Sequence, residues 1–266
     1  MKFILGVAAG KGGVGKSTLT VNLALCLQAM GKSVGILDAD LYGPSIRKML
    51  PEEVTPRIDE NKKILPAEKN GIKLITVSYF QEEEGAMIVR APIANGLIKQ
   101  FFHGVDWGQL DLLLVDFPPG TGDIQLTLMQ EAPFSAGVVI TTPQEVALQD
   151  VSKAIALFHQ MHVPVLGVVE NMSYFDEPLS KKRYYPFGKQ GGYRLSMQEG
   201  IPFLGEIPID AEISYCSDAG LSLLESPQGK NAAACYRSIA KKIVEQLEAF
   251  EGLEGKCLKN FELKWR

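Results

Sequence analysis

The sequence is poor in cysteine and histidine, and it has no excess of basic residues. Its 266 residues include 4 cysteines and 3 histidines, with 27 lysines and arginines against 31 aspartates and glutamates. The formal net charge of −4 argues against general nucleic-acid binding. No two cysteines form a C-x-x-C pair, which excludes a small disulfide framework and indicates reduced thiols with buried or incidental roles. They are Cys26, Cys216, Cys235 and Cys257.

Long apolar runs are absent as well. No stretch reaches the roughly 18 to 20 apolar residues that span a bilayer. The apolar residues after Met1 lead directly into a glycine-rich segment, which cleavage of a signal peptide would destroy. We therefore expect a cytoplasmic protein. The mixed basic and apolar end, residues 256–266, could touch a membrane, but a docked or disordered end is the preferred interpretation.

The most informative segment that is present runs from Gly10 to Thr18 and reads GKGGVGKST. It meets the spacing G-x4-G-K-S between an apolar run and a helix-compatible segment, as a phosphate-binding loop requires. Glycines let successive backbone N–H groups point inward and form a nest for anions at the start of a helix. We expect ATP to bind here, with Lys16 along its outer phosphates and the Ser17 hydroxyl facing Mg²⁺. The predicted ATP-binding residues of the loop are Gly10, Lys11, Gly12, Gly13, Val14, Gly15, Lys16, Ser17 and Thr18.

Short apolar runs recur between helix-compatible segments along the rest of the chain. Most are continuous, as strands buried on both faces of a parallel sheet are. The expected fold is α/β, a doubly wound and mostly parallel sheet flanked by helices. We expect a P-loop ATPase domain over residues 1–250 and a C-terminal tail over residues 251–266. The predicted strands are Phe3–Ala9, Ser33–Leu37, Leu74–Phe80, Leu110–Val115, Gly137–Thr141, Val165–Val169 and Phe203–Ile207, and the predicted helices are Leu19–Met30 and Gln228–Phe250.

Aspartates end two of these apolar runs. Asp38 and Asp40 follow one of them, and Asp116 follows another and begins the segment DFPPGTGD, which ends at Asp123. A carboxylate fixed at the end of a buried strand is what a Walker B element requires near Mg²⁺. We predict Ser17, Asp38 and Asp116 as magnesium ligands. The alternative for any single one of these aspartates is a helix cap or a turn.

Several separated motifs together resemble a known family. The loop with its additional lysine, Lys11, is similar to the deviant Walker A loop of the family that contains the nitrogenase iron protein, ParA and MinD. Within that family the sequence resembles the Mrp subfamily of iron–sulfur cluster carrier ATPases. The motifs that carry this resemblance are DADLYGPS from Asp38 to Ser45, WGQLD from Trp107 to Asp111, DFPPGTGD from Asp116 to Asp123, and VENMS from Val169 to Ser173.

The resemblance implies an ATP-hydrolysing homodimer with nucleotide at the interface. Lys11 would then reach the partner's nucleotide and Asp40 would orient the attacking water, so that Lys11, Lys16 and Asp40 are the implied catalytic residues. The adenine would contact Asn171 and the segment Pro208-Ile209-Asp210, although turn formers after a strand are the alternative there. Iron–sulfur client or scaffold proteins are the implied partners.

One window departs from the subfamily's pattern. Its bacterial carriers typically hold a cluster through a C-x-x-C pair just after the Asn-Met-Ser segment, whereas residues 174–192 contain no cysteine here. Oxygen ligands replace paired sulfurs poorly for cluster iron, so no cluster ligand is identified. The alternative function is an ATP-switched positioning or scaffold protein of the ParA or MinD type without a cluster. Its direct support is the basic run Lys181 to Arg183 and the basic C-terminal end.

Overall fold

The computed structural model of the protein describes residues 1–41, 43–80 and 91–257. Its strands, in chain order, are β1 (Phe3–Ala9), β2 (Val34–Asp38), β3 (Arg57–Ile58), β4 (Ile64–Leu65), β5 (Ala67–Lys69), β6 (Ile72–Thr76), β7 (Leu112–Asp116), β8 (Ala136–Thr141), β9 (Val165–Glu170), β10 (Phe175–Asp176), β11 (Arg183–Tyr184) and β12 (Phe203–Glu206). Its α-helices are α1 (Lys16–Ala29), α2 (Ile46–Met49), α3 (Ala91–His103), α4 (Asp123–Glu131), α5 (Glu145–Gln160), α6 (Gly191–Glu199), α7 (Ala211–Ala219) and α8 (Lys230–Cys257).

Eight strands in the described part of the chain form one sheet, in the order β12-β9-β8-β1-β7-β2-β6-β5. All neighbours pair in parallel except β5, which is antiparallel to β6 at one edge. The predicted α/β fold with a mostly parallel sheet is therefore confirmed. From β1 the chain proceeds towards β2, and from β8 it proceeds the other way towards β9. A ligand crevice is expected where neighbouring strands diverge in this way.

The strands pack on both faces, which explains their continuous apolar runs. In β1, Leu5 and Val7 belong to one core cluster with residues of α1 and α8, whereas Ile4 and Ala8 belong to a second cluster with residues of α3, α4 and α5. Successive side chains of a strand point to opposite faces of its sheet. Every residue of such a strand therefore has to be apolar or small.

Most predicted boundaries lie within two residues of the structure, and three differ by more. The predicted strand Leu74–Phe80 is too long, because the side chain of Thr76 accepts the N–H of Ser78 and caps a 3₁₀ turn over Val77–Tyr79. Helix α1 begins at Lys16, three residues before the predicted start. Helix α8 continues past the predicted end, Phe250, to Cys257. Residues 258–266 lie outside the described residues, so the tail and the domain boundary at residue 250 stay predictions.

The window over residues 174–192 is not a plain loop. It contains an antiparallel hairpin of β10 and β11 and then enters α6, which begins at Gly191. None of the helices in the described ranges is both long and apolar enough to cross a membrane.

Candidate functional site

A cleft of about 730 Å³ opens at the carboxyl ends of the central strands. It brings together residues that the sequence analysis took from four separate segments of the chain. The predicted site residues that line it are Lys11, Gly12, Gly13, Gly15, Lys16, Ser17, Thr18, Asp40, Asn171, Pro208 and Asp210.

Glycine is required by the shape of the loop between β1 and α1. Gly13 and Gly15 have φ angles of 78° and 88°, which L side chains rarely adopt. Gly10 is needed for a different reason, since a Cβ there would overlap the backbone of Asp150 in α5. Gly10 and Val14 were predicted to bind ATP but do not line the cleft. Val14 is instead buried in the core, so these two residues support the frame of the loop.

A buried polar network fixes the first turn of α1. The Lys16 Nζ lies 2.8 Å from Asp116 Oδ2. The Ser17 hydroxyl donates to the same carboxylate oxygen at 2.6 Å, and the Thr20 hydroxyl donates to Asp116 Oδ1 at 2.8 Å. Asp116 is fully buried and Lys16 nearly so. The strand β7 thus holds the start of the helix in register with the loop.

A second buried carboxylate lies beside this network. Asp38 is the register partner of Asp116 across β2 and β7, and it accepts hydrogen bonds from Thr76 Oγ1 and from the Asp40 backbone N–H, both at 3.1 Å. Burial, together with the negative charge of Asp116, raises the pKa of Asp38 to about 7. Two carboxyl groups share one lysine, so the site offers hard oxygen donors of the kind that Mg²⁺ prefers.

Two further predicted residues face the cleft itself. Asp40 is half-buried and its Oδ1 accepts the backbone N–H of Gly43 at 3.1 Å. Lys11 is also half-buried, and within the described part of the chain it pairs with no acidic side chain. The side chain of Asp123, which begins α4, and residue Tyr42 of the motif DADLYGPS lie outside the description.

The other wall of the cleft is built by the segments after β9 and β12. The side-chain amide of Asn171 donates to the carbonyl of Val14 at 2.8 Å, so this residue contacts the loop as well as the cleft. Asp210 caps α7 by accepting the Glu212 backbone N–H at 2.9 Å. The Ile209 N–H donates to the Tyr174 carbonyl at 2.7 Å and ties the two segments together.

Some residues that hold or line the site were not predicted from the sequence. Thr20 follows Lys16 by one helical turn and therefore faces the same side, which is the signal that could have identified it. Thr76 ends β6 next to Asp38, and its role depends on the strand order, which the sequence does not reveal. Phe187, which follows the hairpin of β10 and β11 in the chain, also lines the cleft.

The three thiols among the described side chains do not form a common site. Cys26, Cys216 and Cys235 lie on three different helices, α1, α7 and α8. Burial raises the pKa of the Cys26 thiol to about 12, which keeps it protonated. The described residues contain no group of three or more His, Cys, Asp or Glu side chains that could hold a metal ion.

A family model and a related protein agree on the kind of protein that this chain resembles. A family model described as NUBPL iron-transfer P-loop NTPase, of the ParA group, matches residues 1–244. The chain is 42% identical over 253 residues to the iron-sulfur cluster carrier protein of Aquifex aeolicus, a match that covers 94% of this chain and 69% of that protein.

Solved structures resemble the fold closely. A nucleotide-binding protein from Archaeoglobus fulgidus, determined in complex with ADP, is 39% identical with a TM-score of 0.74, covering 86% of this chain and 90% of that one. The cell division ATPase MinD of Pyrococcus furiosus has a TM-score of 0.68 at 18% identity, covering 92% of this chain and 100% of that one. At this identity the likeness to MinD concerns the fold alone.

Proposed function

We propose that this chain, which belongs to the NUBPL iron-transfer P-loop NTPase family of the ParA group, binds Mg²⁺–ATP in the cleft and hydrolyses it to ADP and phosphate while acting as an iron–sulfur cluster carrier. The observation that carries the proposal is the buried contact of Lys16 and Ser17 with Asp116 directly beneath the glycine loop. That contact holds a cation, a hydroxyl and the start of a helix where the phosphates of a nucleotide would lie.

The loop and the buried carboxylates beside it would have distinct roles in binding Mg²⁺–ATP. The backbone N–H groups from Gly12 to Ser17 would surround the phosphates, and Lys16 would exchange part of its contact with Asp116 for the outer phosphates. Mg²⁺ would be held by Ser17, Asp38 and Asp116. The Ser17 hydroxyl would bind the ion directly, and the two buried carboxylates would hold it together with Ser17. When bound, this ion supplies charge neutralisation at the outer phosphate oxygens.

We assign the hydrolytic step to Asp40 and Lys11. Water would attack the γ-phosphorus, the bond from that atom to the bridging oxygen would break, and ADP and phosphate would form. Asp40 lines the cleft, and one of its carboxylate oxygens accepts the Gly43 N–H. This carboxylate would orient the water. Lys11 carries a positive charge that the described acidic side chains do not neutralise, so it would reach the nucleotide of a second copy across a homodimer interface.

This assignment is tested with Lys11→Ala and Asp40→Ala. Both variants should bind ATP nearly as tightly as the natural chain but hydrolyse it much more slowly, as measured by phosphate release. Sedimentation velocity with ATP should show a dimer for Asp40→Ala and a monomer for Lys11→Ala. Natural hydrolysis rates in Lys11→Ala would refute the role of Lys11 across subunits.

The adenine would lie against the segments after β9 and β12. Asp210 uses one carboxylate oxygen to cap α7, and its other oxygen could accept the adenine amino group. Asn171 and Pro208 would form the floor beneath the base. Because Asn171 also bonds the loop at Val14, its loss should weaken the binding of phosphate as well as of the base.

The cargo would be an iron–sulfur cluster, and its ligands would have to come from more than one chain. The thiols of a single copy lie on three separate helices, so a symmetric dimer or a client protein would supply the missing sulfur. Anaerobic reconstitution with iron and sulfide tests this proposal through visible absorption and through iron and sulfide counts. A colourless protein without iron, both alone and with a cluster donor present, would contradict it. The cytoplasmic location stays a prediction.

A further inference from the structure

One aromatic side chain of the cleft has no part in the site described so far. Phe187 follows β11 and is 37% exposed, although phenylalanine is usually buried. It lines the cleft together with Met172, Pro208 and Ile209. These apolar residues are separate from the loop, whose lining residues are glycine, lysine, serine and threonine. The cleft is therefore lined both by a glycine loop suited to phosphates and by apolar side chains suited to a flat, uncharged ring.

The backbone around Phe187 fixes its place. Tyr185 accepts the N–H of Gly188, which closes a turn around the phenylalanine, and Gly188 has a φ angle of 100°. The hairpin before this turn is attached to the same wall of the cleft. The Arg183 guanidinium lies 3.6 Å from the ring centroid of Tyr174, whose carbonyl accepts the Ile209 N–H.

A second irregularity lies at another of these apolar lining residues. Met172 has a φ angle of 54°, a left-handed conformation that is unusual for a residue other than glycine. Left-handed residues of this kind concentrate at ligand sites, where the surrounding structure maintains them. Hydrogen bonds on both sides of Met172 maintain it here, from the Asn171 backbone N–H to Thr141 and from the Ser173 N–H to Ile207.

We infer that Phe187 is a base-contacting residue, whose ring stacks on the nucleobase of the bound nucleotide and favours nucleotides over bare polyphosphate. The inference rests on the proposed function and adds a selectivity residue to it. An aromatic face stacks on any base, so Phe187 would strengthen the binding of adenine and guanine nucleotides alike. Asp210, and not Phe187, would then distinguish adenine from guanine.

The test compares Phe187→Ala with Phe175→Ala by isothermal titration calorimetry. Phe175 lies in the hairpin that precedes Phe187, is also 37% exposed and does not line the cleft, so it is a matched control. Each variant is titrated with Mg²⁺–ATP, Mg²⁺–GTP and Mg²⁺–tripolyphosphate. Phe187→Ala should weaken both nucleotides on the order of 10- to 100-fold and leave tripolyphosphate unchanged. Phe175→Ala should match the natural chain for all three ligands.

A conservative replacement adds a spectroscopic readout. In Phe187→Trp, ATP should bind with nearly natural affinity and change the indole emission, whereas tripolyphosphate should not change it. Equal weakening of all three ligands in Phe187→Ala would overturn the inference, because it would indicate a disturbed loop. Natural affinity for ATP in Phe187→Ala would also overturn it. If the natural chain failed to bind ATP, the proposed function itself would fail, and the two failures are thus distinguishable.

Discussion

Removing the lysine of the buried network should destabilise the whole protein, apart from any effect on nucleotide. Lys16 is 7% exposed and lies 2.8 Å from Asp116, which is fully buried. Lys16→Ala would leave the buried carboxylate of Asp116 next to the carboxyl group of Asp38, with no cation beside it. Breaking a buried pair by deleting one partner costs about 3–5 kcal/mol. A domain is stabilised by only about 5–15 kcal/mol, so this loss is a large share of the total.

Urea unfolding without nucleotide or magnesium measures this cost. With an m value near 3 kcal/mol per molar, which is reasonable for a chain of this size, the midpoint should fall by about 1 M or more. Lys16→Ala combined with Asp116→Asn should recover much of the loss, because the amide keeps hydrogen bonds without the charge. The exposed pair of Lys32 and Glu248, 3.2 Å apart, provides the control. Lys32→Ala should cost less than about 1 kcal/mol.

Two results would refute this reasoning. A Lys16→Ala variant within about 1 kcal/mol of the natural chain would mean that Asp116 is not an uncompensated buried charge. A cost in the double variant equal to the sum of the two single costs would mean that the two residues do not interact. The unfolding experiment is also a control for the ATP-binding assay, since loss of ATP binding in Lys16→Ala is meaningful only where the variant is folded.

Three further changes in and around the site should alter the stability of the protein. Thr20→Val should cost about 1.5–3 kcal/mol in urea unfolding, because it removes a buried hydrogen bond to the charged Asp116, whereas Thr20→Ser should stay close to natural stability. Gly10→Ala should lower the free energy of unfolding by at least about 1–3 kcal/mol, since its Cβ overlaps the backbone of α5. A melting temperature equal to that of the natural chain would contradict this prediction. Without magnesium, the free energy of unfolding should fall as pH rises from about 4 to about 7, because the native state retains a proton on Asp38 that the unfolded chain releases. A pH series on Asp38→Asn should lack that part of the decline.

The fold could be predicted because its signals are local. The strand β1 is a continuous apolar run and the loop after it meets a complete spacing rule, so both follow from adjacent residues. The predicted strand that begins at Leu74 was extended too far because three of the four residues after Thr76 are also apolar or aromatic. A side-chain cap from Thr76 ends the strand, and periodicity does not contain that information.

The contacts that hold the site depend on distant parts of the chain. Asn171 bonds the carbonyl of Val14, and these residues are 157 positions apart. Thr76 reaches Asp38 only because β6 pairs with β2 in a particular register. The sequence identified Asn171 through a family motif but could not reveal this second contact. Phe187 escaped notice because residues 174–192 contain several aromatic residues, and no sequence pattern distinguishes the one that lines the cleft.

Equilibrium binding of Mg²⁺–ATP to the natural chain tests the central claim most directly. Calorimetry at neutral pH should show saturable binding of one nucleotide per chain, and it should be abolished in Lys16→Ala under conditions where circular dichroism shows the variant to be folded. A folded natural chain that bound no ATP in the presence of magnesium, or a folded Lys16→Ala variant with unchanged affinity, would contradict the account.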